Sequence, residues 1–417
     1  MESLKTKIVS ILRYSERYTK TDMVYLAKNS FWLNLNTIIS SAFALALSVV
    51  FARYLDKEIY GNYQFLISLA SIVGTLTLTG MNASVIQSVA RGYEGVLKKS
   101  VWVQIKYALI PFCLGVAISL YYFLNNNITI SYSLIAISIL MPITSAFNTW
   151  AAFLSGKKDF YKTFTLSQAS NLFYYSVMFV CIFIFPQTVT LVFANFLASA
   201  ITNFLIYLRV SKKYVSNNLE DEGSIEYGKK LSVSSILPLI SIHIDNILVF
   251  HLLGASNLAI YAFASNIPEK FISLIRPIST VALPKMSVKN PDNFRKELGS
   301  KISKLLLFSF LFSLIYILLA PFVYKILFPN YTDSILYSQV YVIAAAISTT
   351  TSLAVSFMFA SRSNKIYTYN IINPIFNIAA MITGTYFFGI WGLIASRVMG
   401  NFFSLSLSYG LERKSTN

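Results

Sequence analysis

Twelve apolar runs, each of about 20 residues or more, follow one another along this chain with only short polar breaks between them. They fall at approximately 29–51, 61–82, 101–124, 130–154, 163–185, 188–209, 231–253, 256–283, 302–328, 334–360, 367–388 and 391–411. A run of that length crosses the hydrocarbon of a bilayer as a helix. Hydrocarbon has no partner for a backbone N–H or C=O, so a segment that satisfies its own backbone is the form such a run must take. Charged residues make up only 12% of the chain, against about 25% in soluble domains. The expected fold is therefore all-α and integral to the membrane, with twelve transmembrane helices.

The basic residues set the orientation. With the N-terminus in the cytoplasm, most of the 34 Lys and Arg fall on the cytoplasmic side, in clusters such as Arg91, Lys98 and Lys99, or Lys157, Lys158 and Lys162. The opposite connections hold Arg53, Lys57 and Lys325. Both termini are then cytoplasmic, and the net charge of +17 reports topology and contact with membrane lipid headgroups rather than nucleic acid. The outer connections are only a few residues long. The longest internal connection, Lys212 to Lys230, reads as a linker between halves. The expected organisation is a basic leader over 1–28, a six-helix lobe over 29–209, a cytoplasmic linker over 210–230, a second six-helix lobe over 231–411 and a tail over 412–417.

Ile8, Val9, Ile11 and Leu12 form a short apolar face in the leader, which fits an amphipathic helix on the cytoplasmic leaflet or a solvated basic leader. The first apolar run begins near Asn29 without an A-x-A-type site, so a removable signal peptide is not expected. The linker's acidic cluster, Glu220, Asp221 and Glu222, reads as a solvated loop. Cys113 and Cys181 lie inside apolar runs and read as small core residues. With only His243 and His251 present, a His-based metal site is not expected.

The chain also repeats itself. A shift of 198 residues superposes Leu55, Tyr63 and Phe65 on Leu253, Tyr261 and Phe263. A shift of 206 residues superposes Ser155, Tyr161 and Asn171 on Ser361, Tyr367 and Asn377. An even number of spans per copy gives both copies the same orientation, so the repeat is parallel, about an axis along the membrane normal. Polar residues recur at helical spacing: Gln64, Ser68, Ser71, Thr75, Thr79 and Asn82 in the second run, with Ser273 in the matching stripe of the eighth. Other stripes carry Asn34 in the first run, Ser241 and Asp245 in the seventh, and Asn373 and Asn377 in the eleventh. Interhelical hydrogen bonding accounts for one such stripe; several in symmetric runs favour a wet cavity between the halves.

No Walker loop, His-Glu-x-x-His helix or Ser-centred nucleophile elbow is present, so the chain is not read as an enzyme. Charges inside the runs carry the chemistry instead, because an ionisable group in hydrocarbon is costly unless it faces a partner or a cavity. Asp245 reads as a carboxylate that couples to H⁺ or Na⁺ or pairs with a cavity Arg, or as half of a structural ion pair. Glu269, on the polar stripe, reads as a cavity carboxylate and a better cavity residue than its neighbour Lys270. Arg397 and Arg276 are candidates for an anionic headgroup, since guanidinium meets phosphate in bidentate fashion; Arg276 also fits a snorkelling role. Lys270 and Arg53 join that set, although Arg53, at the outer end of the first run, reads rather as an interfacial anchor.

The stretch Phe51–Phe65, FARYLDKEIYGNYQF, resembles the turn between the first two spans of Wzx-type polysaccharide flippases, where a pattern like ARxLGxxxYGxY recurs. Ala52, Arg53, Leu55, Tyr60, Gly61 and Tyr63 keep that pattern, and Asp56 stands where glycine is usual. Asp245, Gly254 and Tyr261 resemble the matching turn of the second half. The layout is similar to the wider multidrug and oligosaccharidyl-lipid exporter superfamily, which includes MATE transporters and the flippase MurJ. The resemblance implies a MATE-like, two-lobed bundle with a central cationic cavity and alternating access. It implies a multi-pass protein of the bacterial cytoplasmic (inner) membrane, engaged in O-antigen, lipopolysaccharide or related polysaccharide biosynthesis. The implied cargo is an undecaprenyl-diphosphate-linked oligosaccharide, with no cofactor beyond a coupling H⁺ or Na⁺. The protein is expected to act as a monomer beside polysaccharide polymerase machinery. The alternatives are a MATE-type drug/cation antiporter, which favours an acidic cavity, and a membrane polymerase, which needs a large outer loop.

Overall fold

The computed structural model describes residues 13, 23–273, 291–360 and 365–413. Every regular element among them is helical: α1 (Met23–Tyr54), α2 (Lys57–Gly74), α3 (Met81–Ala90), α4 (Val96–Tyr107), α5 (Leu109–Leu124), α6 (Ile128–Phe147), α7 (Thr149–Gly156), α8 (Phe160–Ile184), α9 (Thr188–Lys213), α10 (Ser224–Leu253), α11 (Ala255–Ser273), α12 (Pro291–Leu327), α13 (Ser334–Ala360) and α14 (Lys365–Arg413). Single turns of 3₁₀-helix lie at Thr75–Thr77 and Pro329–Tyr331. Among the described residues nine helices are long and apolar enough to cross a membrane, ten if α2 and α3, bent by 51° at their break, count as one span. The chain is a multi-pass membrane protein. The leader's apolar face lies outside the described residues, and α1 begins at Met23, ahead of the run that predicts it.

Three predicted runs are broken in ways that periodicity does not reveal. α2 stops at Gly74 because the Thr75 and Thr77 hydroxyls donate back to the carbonyls of Ile72 and Gly74, at 2.8 and 2.7 Å, and tighten the chain into a 3₁₀ turn. The third and fourth runs each divide, at Ala108 and Asn148. Conversely, α14 holds two helical stretches that join in a sharp turn at Gly389, whose φ of 58° and ψ of −139° a side chain would resist. Capping follows sequence where it can: Asn127 accepts from the Ile130 N–H and Asp159 from the Lys162 N–H, starting α6 and α8.

Within α1–α9, α1 packs on α8, α6 on α5 and α9, and α3 on α7. Within α10–α14, α13 packs on α11, α12 and α14, and α10 packs on α14. The two groups meet where α2 and α3 lie against α10 and α11. Aromatic rings fill that seam: Phe65 stacks on Phe250 at 3.9 Å, Tyr60 lies 4.9 Å from Phe263, and Phe263 lies 4.0 Å from Tyr331. Gly61 makes the approach possible. A Cβ at that position would stand 1.9 Å from the Ala255 carbonyl oxygen. The surface away from the seam is apolar, with Phe388 and Leu318 each 73% exposed, as lipid contact requires. Cys113 belongs to that exposed surface rather than to the core, a correction that hydrocarbon outside the helix explains, since a thiol facing lipid is as well placed as one facing protein.

The linker is not a free solvated loop. Asp221, half-buried, pairs with Arg91 at 2.5 Å and accepts from the Ser88 hydroxyl, and Glu220, exposed like Glu222, pairs with Lys99. Glu94, buried in the α3–α4 turn, accepts the Ser216 N–H at 2.5 Å and pairs with Lys157 at 3.0 Å. Burial pushes the Glu94 carboxyl upward, but the backbone N–H of Ser216 and the ammonium of Lys157 outweigh it and hold the group below the ordinary carboxylate range. The stabilisation from a depressed carboxylate is complete above its unfolded value of 4.5 and is lost as pH falls through the lower folded value. Amide exchange across residues 214–219 should therefore stay slow from neutral pH down to 4.5 in the wild type and be faster throughout that range in Glu94→Gln; equal exchange in the two would contradict the clamp. At the seam, Gly61→Ala should lower stability by about 1–3 kcal/mol, the usual cost of overpacking, read as a lower unfolding midpoint in detergent.

Candidate functional site

Among the described residues, polar spaces open on two sides of the helical body. The larger, a cavity of about 600 Å³, lies among α1, α2, α6, α8, α9 and α11. Its lining includes Ser48, Gln64, Ser71, Thr144, Asn195 and Asn266, with the rings of Tyr60, Tyr63, Tyr174 and Tyr175, and its cation is Lys270. Lys270 reaches across from α11 to α1, donating to the Ser48 hydroxyl at 2.7 Å and to the Ala44 carbonyl at 3.2 Å. A compartment of about 330 Å³ adjoins this cavity and shares Thr144, Tyr174, Tyr175 and Asn195 with it. The other space, about 290 Å³, lies among α10, α13 and α14, lined by Ser241, Asn370, Asn373, Asn377, Asn401 and Arg397 among others.

Arg397 does not stand free in its cavity. Its guanidinium donates to Asp245 at 2.5 Å and to the Ile242 carbonyl at 2.9 Å. Tyr261, fully buried on α11, donates its hydroxyl to the same Asp245 oxygen at 2.7 Å. The Nε of Arg397 finds no acceptor among the described residues. Asp245 thus ties α10, α11 and α14 together, and its charge is balanced inside the protein.

The remaining expected residues divide by the face they occupy. Gln64 and Ser71 line the large cavity, Gln64 donating to the Tyr60 hydroxyl at 2.6 Å. Ser68, on the same predicted stripe, lies about 40° round the helix from Gln64, and it is buried where Asn246 of α10 donates to it at 2.7 Å. Thr75 is buried in the 3₁₀ turn. Ser241, Asn373 and Asn377 line the cavity of α10, α13 and α14, the Asn377 amide donating to Asn373 at 2.9 Å. Asn34, half-buried on α1, lines none of these spaces. Arg53 is exposed and donates to the Ile326 carbonyl at 2.7 Å, so it fastens α1 to α12. Ser273 ends the described part of α11 and its side chain lies outside the described residues, as does Arg276 altogether.

Two expectations change. Lys270, not Glu269, is the cavity residue of that pair; Glu269 lines none of these spaces and lies within electrostatic reach of Tyr341 on α13. The 198-residue shift lays α11 over α2 and Glu269 over Ser71, but different helices pack opposite: Ser71 faces the large cavity, whereas Glu269 lies on the side of α11 toward Tyr341 of α13. Among the described residues the polar space is also not a single central cavity. α2 and α3 pack directly on α10 and α11 and divide it. Sequence reading missed Asn148, Asn195 and Asn203. Asn195, Ser199 and Asn203 recur every four residues on α9, a one-face stripe that could have been found.

The family model described as polysaccharide biosynthesis protein matches residues 26–290, more than half of the chain. The chain belongs to the polysaccharide biosynthesis protein family. No curated protein matches its sequence. Among solved structures, an inward-facing multidrug resistance MATE family transporter of the MOP superfamily is similar with TM-score 0.68 and 13% identity, over 90% of this chain and 94% of the other. An outward-facing member is similar with TM-score 0.64 and 15% identity, over 93% and 95%. The lipid II flippase MurJ in an inward closed conformation is similar with TM-score 0.64 and 15% identity, over 90% and 86%. At such identities the likeness establishes the fold. The neighbours are transporters and flippases, not enzymes.

The Asp245–Arg397 pair yields a direct test. Removing one partner strands the other charge in a low-dielectric interior, at a cost of about 3–5 kcal/mol, whereas removing both relieves it. Asp245→Asn and Arg397→Gln should each lower the detergent unfolding midpoint sharply, and the double variant should recover part of the loss. Additive losses in the double variant would mean that the two side chains do not depend on each other.

Proposed function

We propose that this member of the family flips an undecaprenyl-diphosphate-linked oligosaccharide from the cytoplasmic to the outer leaflet of the bacterial inner membrane by alternating access. The observation that carries the reading is the chemistry of the large cavity: neutral hydroxyls, amides and aromatic rings around the single cation Lys270, with no carboxylate among the described lining residues. Its volume lies in the range of about 300–1,000 Å³ typical of small-molecule sites. Sugars exchange their water for amides, hydroxyls and ring faces, a diphosphate needs a cation, and the polyprenyl tail can remain in the bilayer. The proposal keeps twelve spans, two parallel six-helix lobes over 29–209 and 231–411 and cytoplasmic termini. It also keeps a monomer acting beside a polymerase.

Lys270 is the proposed diphosphate contact. Asp245 serves as the counter-charge that holds Arg397, so a coupling H⁺ or Na⁺ that used Asp245 would have to displace a guanidinium. Membrane potential is the simpler driving force: an anionic headgroup moving outward across an inside-negative membrane gains about 2.3 kcal/mol per charge per 100 mV. A drug/cation antiporter of this fold needs an unbalanced carboxylate in its cavity, and Asp245 is balanced by Arg397. In cells lacking the protein, lipid-linked oligosaccharide should accumulate on the cytoplasmic leaflet in a leaflet-accessibility assay. Lys270→Ala should restore outward movement about 10-fold less well than wild type, the loss expected for one charged hydrogen bond of about 1.5–3 kcal/mol. Normal outward movement without the protein, together with sensitivity to cationic drugs, would favour the antiporter.

A further inference from the structure

The compartment beside the large cavity has a chemistry of its own. It lies where α6 gives way to α7 and where α8 and α9 face that break, and no charged residue is among those lining it. Four asparagines converge there, Asn148 at the break, Asn171 on α8, and Asn195 and Asn203 on α9. Two of them are oriented by aromatic neighbours: the Tyr174 hydroxyl donates to Asn195 Oδ1 at 2.7 Å and the Trp150 indole N–H donates to Asn203 Oδ1 at 3.0 Å. With their carbonyl oxygens engaged, both amides are left with N–H groups to donate into the space. Tyr174 also lines both compartments, so an occupant passing from one to the other meets its ring.

Fixed amide donors beside aromatic faces, without a net charge, suit a solute that is polar, uncharged and rich in oxygen acceptors. Hydroxyl and acetamido oxygens meet such donors at little cost. A carboxylate would leave water without a cation to replace it, which is far more expensive. We propose that this compartment is a saccharide subsite that selects neutral sugars, N-acetylated ones included, next to the diphosphate that Lys270 holds in the larger compartment. The assignment rests on the flippase reading and adds to it a specificity: the sugars nearest the lipid are uncharged. Asn148, Asn195 and Asn203 are its donors, with Trp150 and Tyr174 holding two of them in register, while the Asn171 amide donates to the Ser40 hydroxyl of α1 at 2.8 Å and borders the space.

Binding to the full-length protein in lipid nanodiscs tests this with three probes: a short-chain polyprenyl diphosphate alone, the same lipid carrying a neutral N-acetylhexosamine disaccharide, and the same lipid carrying a disaccharide that contains a uronic acid. The neutral glycolipid should bind about 10-fold more tightly than the uronic acid form, the equivalent of about 1.4 kcal/mol. Asn203→Asp keeps an acceptor for Trp150 while it removes a donor and adds charge, and Asn148→Ala removes an exposed donor at the α6–α7 break. Each should weaken the neutral glycolipid about 10-fold and leave the bare diphosphate lipid unchanged. Equal binding of neutral and uronic acid forms by the wild type, or an undiminished neutral preference in both variants, overturns the subsite. Failure of the wild type to bind any of the three lipids overturns the flippase reading itself, and the subsite with it.

Discussion

Hydrocarbon cannot hydrogen-bond, and nearly everything in this structure follows from that. Each backbone group must be satisfied inside its own helix, which is why the apolar runs become helices and why breaks in them occur where side chains substitute for the ladder. The Thr75 and Thr77 hydroxyls do so at the end of α2. The same rule governs side chains. Asp245 and Arg397 persist in the interior because each answers the other, with Tyr261 adding a third contact.

Polar groups are consequently gathered into a few places rather than scattered. At the seam between α2 and α10, Asn246 and Ser68 bond to each other and so act as glue. In the large cavity, Gln64, Ser71 and Asn266 line open space, Gln64 and Ser71 bonding only within α2 and so keeping a polar side toward a solute. The difference between structural and available polarity is a matter of which helix lies opposite. It separates Ser68 from Gln64, one turn away on the same helix.

The seam itself depends on close backbone approach. Gly61 lets α2 reach the α10–α11 turn, and the rings of Phe65, Phe250, Phe263 and Tyr331 then close over the contact. The turn around Gly61 is also the stretch that most resembles polysaccharide flippases. Its glycine answers a packing need, while its arginine, Arg53, fastens α1 to α12 rather than entering a cavity.

Length and hydropathy alone determined the helical membrane class and most element positions, as with the run at 188–209 that became Thr188–Lys213. Those properties are local: a helix in lipid satisfies itself and needs no knowledge of its neighbours. Charge inside a run was also legible as a demand for a partner, and Asp245 and Arg397 both stood out before their 2.5 Å contact was known. Their pairing was not legible, because 152 residues separate them and only the packing of α10 on α14 brings them together. The choice of Lys270 over Glu269, the division of the polar space and the asparagine compartment were likewise decided by tertiary structure. Adjacent residues on a helix point in different directions, and which direction holds a cavity depends on the helix that packs opposite.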